Sequence, residues 1–222
     1  MKIEQISKHI WTLKSWMGFT IQVWLVADDN GLTLIDAGVS SMAKGILKSI
    51  NDIQAGPLQR IILTHGHGDH VGAVKTILSK INVPVYAHSI EIPYIEGNLP
   101  YPGRKKAVEL LAPSITQPLS ADNEGRLQPI GSLTPYFTPG HSPGHVAYYH
   151  EEDEVLLAGD LFTSKKGKLR KPIPMFTADM REALKSSEVL RVLKPKRLEI
   201  CHSSAVLNPE AQLDEYLEKN RS

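Results

Sequence analysis

A layered α/β sandwich is the fold class this sequence predicts, and three observations carry the prediction. Residues 32–87 alternate strand-like and helix-like runs, in the succession strand, helix, strand, helix, strand, the pattern of a sheet covered by helices. Before them stand short β-type runs joined by a hairpin signal, which make an antiparallel opening. After residue 126 the chain returns to strands and closes on helical segments. The 222 residues include no Pro/Gly/Ser-rich linker and no change of charge, so residues 1–222 are expected to form a single domain.

Each element has a local justification. Residues 3–6, 10–13 and 21–27 are apolar, β-type runs, and Asp28-Asp29-Asn30-Gly31 is a turn that returns the chain into 32–35. Ser40 is placed to cap a helix in which Met42, Ile46, Leu47 and Ile50 recur at helical spacing, ending before Gly56-Pro57. Residues 60–63 read as a buried strand, and one helix is expected over 69–80 with Val71, Val74, Ile77 and Leu78 on one face. Residues 83–87 form the next strand. The segment 88–126 is irregular, with Pro93, Pro100, Pro102 and Pro113 around two short helical pieces, and it fits a lid or ordinary surface packing equally well. Strands follow at 127–130, 133–137, 146–149, 155–158 and 198–201, and helices at 177–193 and 209–217, the last opened by Asn208-Pro209.

The chemistry is concentrated in Thr64-His65-Gly66-His67-Gly68-Asp69-His70, where three of the nine histidines and a carboxylate follow the strand-like Ile61-Ile62-Leu63. His65 and His67 are two apart, so in extended backbone they point to the same side and grip one ion together. Asp69 and His70 stand where the helix begins and point elsewhere, toward a second ion. A purely structural role explains only Asp69, as a helix N-cap. Three histidines in a tight loop repel when protonated and bury little apolar area. Three more candidates stand at the ends of apolar strands: His141 in Thr138-Pro139-Gly140-His141, Asp160 in Leu157-Ala158-Gly159-Asp160, and His202. A layer of strands that delivers polar residues to one edge is the rigid scaffold a metal site needs.

Composition narrows the partners. A formal net charge of +1 supplies no global field for nucleic acid or an anionic membrane. The lone Cys201 excludes an intramolecular disulfide and fits a reducing compartment. With no apolar signal core at the N-terminus and no membrane-length apolar run, the expected location is the cytoplasm.

At these residues the sequence resembles the metallo-β-lactamase superfamily, in particular its dinuclear hydrolases of the glyoxalase II and lactonase kind. The resemblance runs through Leu34-Ile35-Asp36-Ala37-Gly38, the His-x-His-x-Asp-His loop, Thr138-Pro139-Gly140-His141, Gly159-Asp160 and a final His202, in family order. It implies a four-layer αβ/βα sandwich. It also implies that His65, His67 and His141 hold one metal, Asp69, His70 and His202 the other, and that Asp160 bridges both. Asp69 and Asp160 are the carboxylates it assigns to catalysis, and Asp36, with His145 as a further candidate, supports the ligand shell. Lactam-hydrolysing members with this loop typically lack a carboxylate at Asp160, and flavodiiron proteins carry Glu where His67 stands. Lactonases often have Tyr where Thr163 stands, and the glyoxalase II basic residue is only approximated by Gly167-Lys168.

Imidazole and carboxylate donors suit two divalent ions, with Zn²⁺ the default and Mn²⁺ or Fe²⁺ the alternatives. Two ions roughly 3.5 to 4 Å apart share a hydroxide at neutral pH, which points to hydrolysis of an ester, thioester or lactone-like carbonyl on a small-molecule acyl substrate. Two readings stand beside it: a persulfide-dioxygenase-like oxidoreductase with one iron, and a metal-binding module without turnover. Substrate contacts are expected from Tyr94 and Tyr101 and from the run Lys165-Lys166-Gly167-Lys168-Leu169-Arg170-Lys171, which holds five cations in seven residues. The bland alternative for that run is a solvated loop.

Overall fold

The computed structural model describes residues 1–220, and the chain divides into two compact units, the first Met1–Ser120 and the second beginning at Ala121. In the first unit, seven strands form one sheet in chain order: β1 (Lys2–Gln5), β2 (Ile10–Trp16), β3 (Thr20–Asp28), β4 (Gly31–Ile35), β5 (Leu58–Ile62), β6 (Val85–Ala87) and β7 (Thr116–Pro118). β1 to β4 are antiparallel neighbours, and β4 to β7 run parallel. The change follows from the connections. A two-residue hairpin joins β3 to β4, whereas a parallel pair needs a crossover, and α1 (Ala43–Ile53) supplies the first. β4 is buried along its whole length, and its one polar side chain, Thr33, accepts a hydrogen bond from Arg60 Nη1 at 3.1 Å. Of the helical stripe read from the sequence, α1 buries Ile46 and Ile50, at about 1.5 to 3 kcal/mol for each, while Leu47 is half-buried and Met42 falls in the turn before the helix.

The helix expected over 69–80 is two: α2 (Gly68–Val71) and α3 (Val74–Leu78). The His70 carbonyl, which would accept from the next helical turn, accepts from Ala37 N–H at 2.6 Å instead. Gly72 then packs so tightly on the loop after β4 that a Cβ there would lie 2.8 Å from Ser40 N and 2.9 Å from Gly38 O. The helix is interrupted to bind the loop that follows β4. Ser40 opens a short 3₁₀ turn, Ser40–Met42, without a side-chain cap. In the irregular stretch, α4 (Ile92–Ile95) is one helical turn that precedes β7.

In the second unit, five strands make a sheet in the order β14 (Val206–Leu207), β13 (Arg197–Glu199), β10 (Val155–Leu157), β9 (Val146–His150), β8 (Leu133–Phe137). Residues 127–130 do not form the expected strand, because Ile130 and Leu133 exchange backbone bonds across a tight turn. The expected helix over 177–193 is α5 (Met180–Ser186) and α6 (Val189–Leu193), begun by the Asp179 carboxylate accepting from Glu182 N–H at 3.0 Å. At its break, Ser187 Oγ turns back to the Leu184 carbonyl at 2.6 Å, a local bond that competes with the helical ladder. The chain from 209 runs as a 3₁₀ turn into α7 (Leu213–Lys219).

The basic run is a hairpin, not a loop: β11 (Thr163–Lys165) pairs with β12 (Lys168–Arg170) across Lys166-Gly167. Both turn residues have positive φ, 53° and 72°, as a two-residue type I′ turn requires. The alternation leaves Lys168 and Arg170 exposed and buries Leu169 in a core with Phe162, Leu213 and Tyr216. Among the described residues no helix is long and apolar enough to cross a membrane.

Candidate metal centre

In the first unit, β4 and β5 end side by side and each hands over to a polar residue. Asp36 follows β4 in the left-handed region, φ 58°, which a short carboxylate side chain tolerates better than most. Its Oδ1 accepts Thr64 N–H at 2.8 Å, and its Oδ2 accepts the Thr64 hydroxyl at 2.8 Å and lies 2.7 Å from His70 Nδ1. Asp36 and His70 are both fully buried. The carboxylate accepts a hydrogen bond from Nδ1–H, which leaves Nε2 of His70 as the basic nitrogen. Thr64 spends its hydroxyl proton on Asp36, so at His65 Nδ1, 3.1 Å away, it accepts. That bond fixes His65 in the same tautomer. The resemblance implied a supporting place for Asp36; its carboxylate touches one imidazole directly and the other through Thr64.

His65 Nε2 and His67 Nδ1 lie 2.9 Å apart. Two nitrogens that share a zinc at 2.0 to 2.1 Å lie about 2.9 to 3.4 Å apart for bond angles between a right angle and the tetrahedral value, so this pair fits a common ion. His67, not Asp69, occupies the N-cap position of α2, and Asp69 sits in the first turn, partly exposed. The capping explanation of Asp69 therefore lapses.

A residue that sequence reading missed holds this loop from behind. Glu91, fully buried, accepts Gly66 N–H at 3.0 Å and the Tyr101 hydroxyl at 2.7 Å, both on Oε1. Burial, reinforced by the Glu91 charge, pushes the Tyr101 hydroxyl above its ordinary pKa, so it stays protonated and donates. The Tyr101 ring meets His67 edge-on at 4.8 Å, and Tyr94 stacks on Tyr101 at 5.0 Å. A Cβ at Gly66 would lie 2.2 Å from Ile95 Cγ1 and 2.4 Å from the Tyr101 hydroxyl, which is why glycine separates the two histidines. Glu91→Ala should cost about 2 to 3 kcal/mol in urea unfolding, since it strands two buried donors. Tyr101→Phe, which removes one of them, should cost about 1 kcal/mol. Equal midpoints for Glu91→Ala and the parent would deny Glu91 this role.

In the second unit, His141 lies in a tight loop between β8 and β9. Gly140 has φ 133°, and a Cβ there would fall 2.1 Å from Ala183 N, so the start of α5 packs directly on this loop. Ala178 N–H and Asp179 N–H donate to the carbonyls of His141 and Gly140 at 3.1 and 2.8 Å. Parallel β10 and β13 continue their pairing through Ala158 and Cys201, whose N–H groups donate to Glu199 and Gly159, and this brings Asp160 beside His202. Asp160 Oδ2 lies 3.1 Å from His202 Nε2 and 3.4 Å from His141 Nε2.

His145 is buried and does not compete for that position. Its Nε2 accepts Asp160 N–H at 3.2 Å, so its Nδ1 carries the proton and donates to Thr138 Oγ1 at 2.9 Å. Cys201, which sequence reading treated only as a redox marker, offers a sulfur within 4.8 Å of ligand atoms of Asp160 and His202. Its one sequence signal was adjacency to His202. His88 has a pKa lowered by burial, and His150 accepts Asp153 N–H at 3.2 Å.

The model of the metallo-β-lactamase superfamily matches residues 16–202. The chain belongs to that superfamily. A "Probable metallo-hydrolase YybB" of Bacillus subtilis (strain 168) is 32% identical over 225 residues, covering 100% of both chains. A "Hydroxyacylglutathione hydrolase" of Halorhodospira halophila is 27% identical over 150 residues, 66% of this chain and 49% of that one. Among solved structures, "TTHA1623 in a di-iron-bound form" is 26% identical with a TM-score of 0.68, covering 89% of this chain and 94% of that one. The mixed α/β architecture is thus the metallo-β-lactamase fold that the motifs implied. Superfamily membership, together with these buried imidazole and carboxylate donors, supports a metal-dependent hydrolase in general.

Proposed function

We propose that this metallo-β-lactamase-fold protein hydrolyses an ester, thioester or lactone-like carbonyl with two divalent ions. His65, His67 and His141 would hold one ion, Asp69, His70 and His202 the other, and Asp160 would be shared. The observation that carries the reading is the Asp160 oxygen standing between His141 and His202, as a carboxylate common to two ions must stand near ligands of each. Bound there, the ions supply a nucleophile from water at neutral pH and polarise the scissile carbonyl. The protein's share is to hold its donors still: Asp36 fixes His70 directly and His65 through Thr64, and His145 fixes the backbone of Asp160. Tyr94 and Tyr101, from the 88–126 segment proposed as a cover, would meet substrate with their rings, since Glu91 already holds the Tyr101 hydroxyl.

The native ions are proposed as zinc, with iron the main rival given the di-iron relative. Elemental analysis of the purified protein should find close to two transition ions per chain. A screen across thioesters, lactones, aryl esters and phosphodiesters should find turnover on a carboxylic acyl substrate. A single iron per chain with dioxygen consumption on a persulfide would replace this reading, and full metal loading without any turnover would reduce the protein to a binding module.

The hairpin cations refine the substrate. Ser164 Oγ donates to the Ser204 carbonyl at 2.5 Å, two residues beyond His202, so β11 starts beside a proposed ligand. Lys165 and Lys168 are register partners, and Lys166 occupies the turn. The triple change Lys165→Ala, Lys166→Ala, Lys168→Ala should raise KM for an anionic acyl substrate several-fold at low salt, with the difference shrinking as salt screens it. Hydrolysis of a small neutral ester should not change. Parent-like KM for the anionic substrate at low salt would leave the hairpin a solvated surface.

A further inference from the structure

We infer that a groove between β12 and α7, outside the proposed metal ligands, binds a phosphate-bearing small molecule. The groove has a volume of about 350 Å³, within the size range of small-ligand sites, and none of its lining residues is a candidate metal ligand. Four cations line it, Lys168, Arg170, Lys171 and Lys219, against the single carboxylate of Glu215. Several cations elsewhere in the same unit are matched: Lys185 with Glu182, Arg191 with Glu188 and Asp214, Lys196 with Glu154, and Arg197 with Glu199. The four groove cations are in no such pair among the described residues. Four cations collected on a concave surface with one carboxylate among them leave most of their attraction for an anion unspent.

The walls are fixed rather than mobile on their own. Gln212 clamps the hairpin to the start of α7, its Nε2 donating to the Gly167 carbonyl at 3.0 Å and its Oε1 accepting Leu169 N–H at 3.0 Å. With both ends of its amide on backbone, Gln212 shapes the groove and leaves recognition to the cations. Tyr216, only 4% exposed, closes the floor of the groove, its ring held edge-on against Phe162 at 5.7 Å and its hydroxyl buried beneath the surface. A phosphate above it would meet the arginine fork and the lysines. A volume of this size admits more than inorganic phosphate, which is why the class proposed is a phosphate-bearing molecule.

The test is calorimetric titration of inorganic phosphate into the metal-loaded protein, beside the double change Arg170→Ala, Lys219→Ala and the single change Lys171→Ala. Metal content and circular dichroism of each variant establish that it is folded and loaded. The double variant should bind phosphate about tenfold or more weakly, having lost two charged partners, and Lys171→Ala several-fold more weakly. Parental affinity in both variants would overturn the inference, since phosphate would then be bound elsewhere, at the metals for example. Binding of anionic vesicles or DNA without measurable binding of inorganic phosphate would also overturn it, because the cations would then serve a macromolecular surface. Neither result depends on whether the protein hydrolyses an acyl substrate.

Discussion

Asp36→Ala should lower the free energy of unfolding by about 3 to 5 kcal/mol, because the change removes the acceptor from a fully buried, charge-assisted network and leaves its partners buried. Three groups lose their acceptor together: Thr64 N–H, the Thr64 hydroxyl and His70 Nδ1. Alanine also tolerates the left-handed φ of 58° poorly, which adds about 1 kcal/mol. The effect extends to the metals. Without the carboxylate, His70 is free to change tautomer and His65 loses the oriented Thr64 hydroxyl, so metal affinity should fall about 10 to 100-fold. Asp36→Asn separates these consequences. It keeps the shape, the left-handed backbone and an acceptor for Thr64 N–H, so it should recover most of the stability while still weakening the grip on His70. Urea unfolding and competitive metal titration measure the two quantities. An Asp36→Ala protein with the parent's midpoint and metal affinity would show that the network neither stabilises the fold nor orients the ligands.

What could be read from the sequence depended on which partner a residue uses. The His-x-His-x-Asp-His loop stood out by its spacing at a strand end and Asp36 by the motif that carries the resemblance; the structure puts the Asp36 carboxylate on Thr64 and His70. Glu91 was not legible. It bonds a backbone N–H, that of Gly66, from an irregular segment, and a contact to backbone leaves no mark on the partner's identity. The interruption between α2 and α3 was hidden for the same reason, since its cause is an Ala37 N–H that takes the His70 carbonyl. By contrast, the hairpin in the basic run had a signal that charge counting passed over: Lys166-Gly167 between two short alternating runs is a two-residue turn. Side-chain periodicity therefore carried the sheets and the main helices, while breaks and braces made through backbone groups required coordinates.

His141 and His145 stand four residues apart in one loop, and their replacement should have different consequences. His141 Nε2 faces the Asp160 carboxylate at 3.4 Å. His145 has committed both ring nitrogens, one to Asp160 N–H and one to Thr138 Oγ1. His141→Ala should therefore strip an ion, leaving close to one per chain by elemental analysis. His145→Ala should retain both ions at saturating metal but bind them about 10 to 100-fold more weakly, the usual scale for groups that orient a ligand. Stability should move in the opposite sense in the metal-free proteins. There His145→Ala is the costlier change, because it deletes a buried side chain that ties the backbone of Asp160 to the Thr138 hydroxyl. His145→Gln, with an acceptor at similar reach, should restore part of the lost metal affinity; no glutamine at 141 should do so, since an amide is a poor substitute for an imidazole ligand. Equal loss of metal in the two alanine variants would mean that His145 binds an ion directly and that its tautomer has been assigned wrongly.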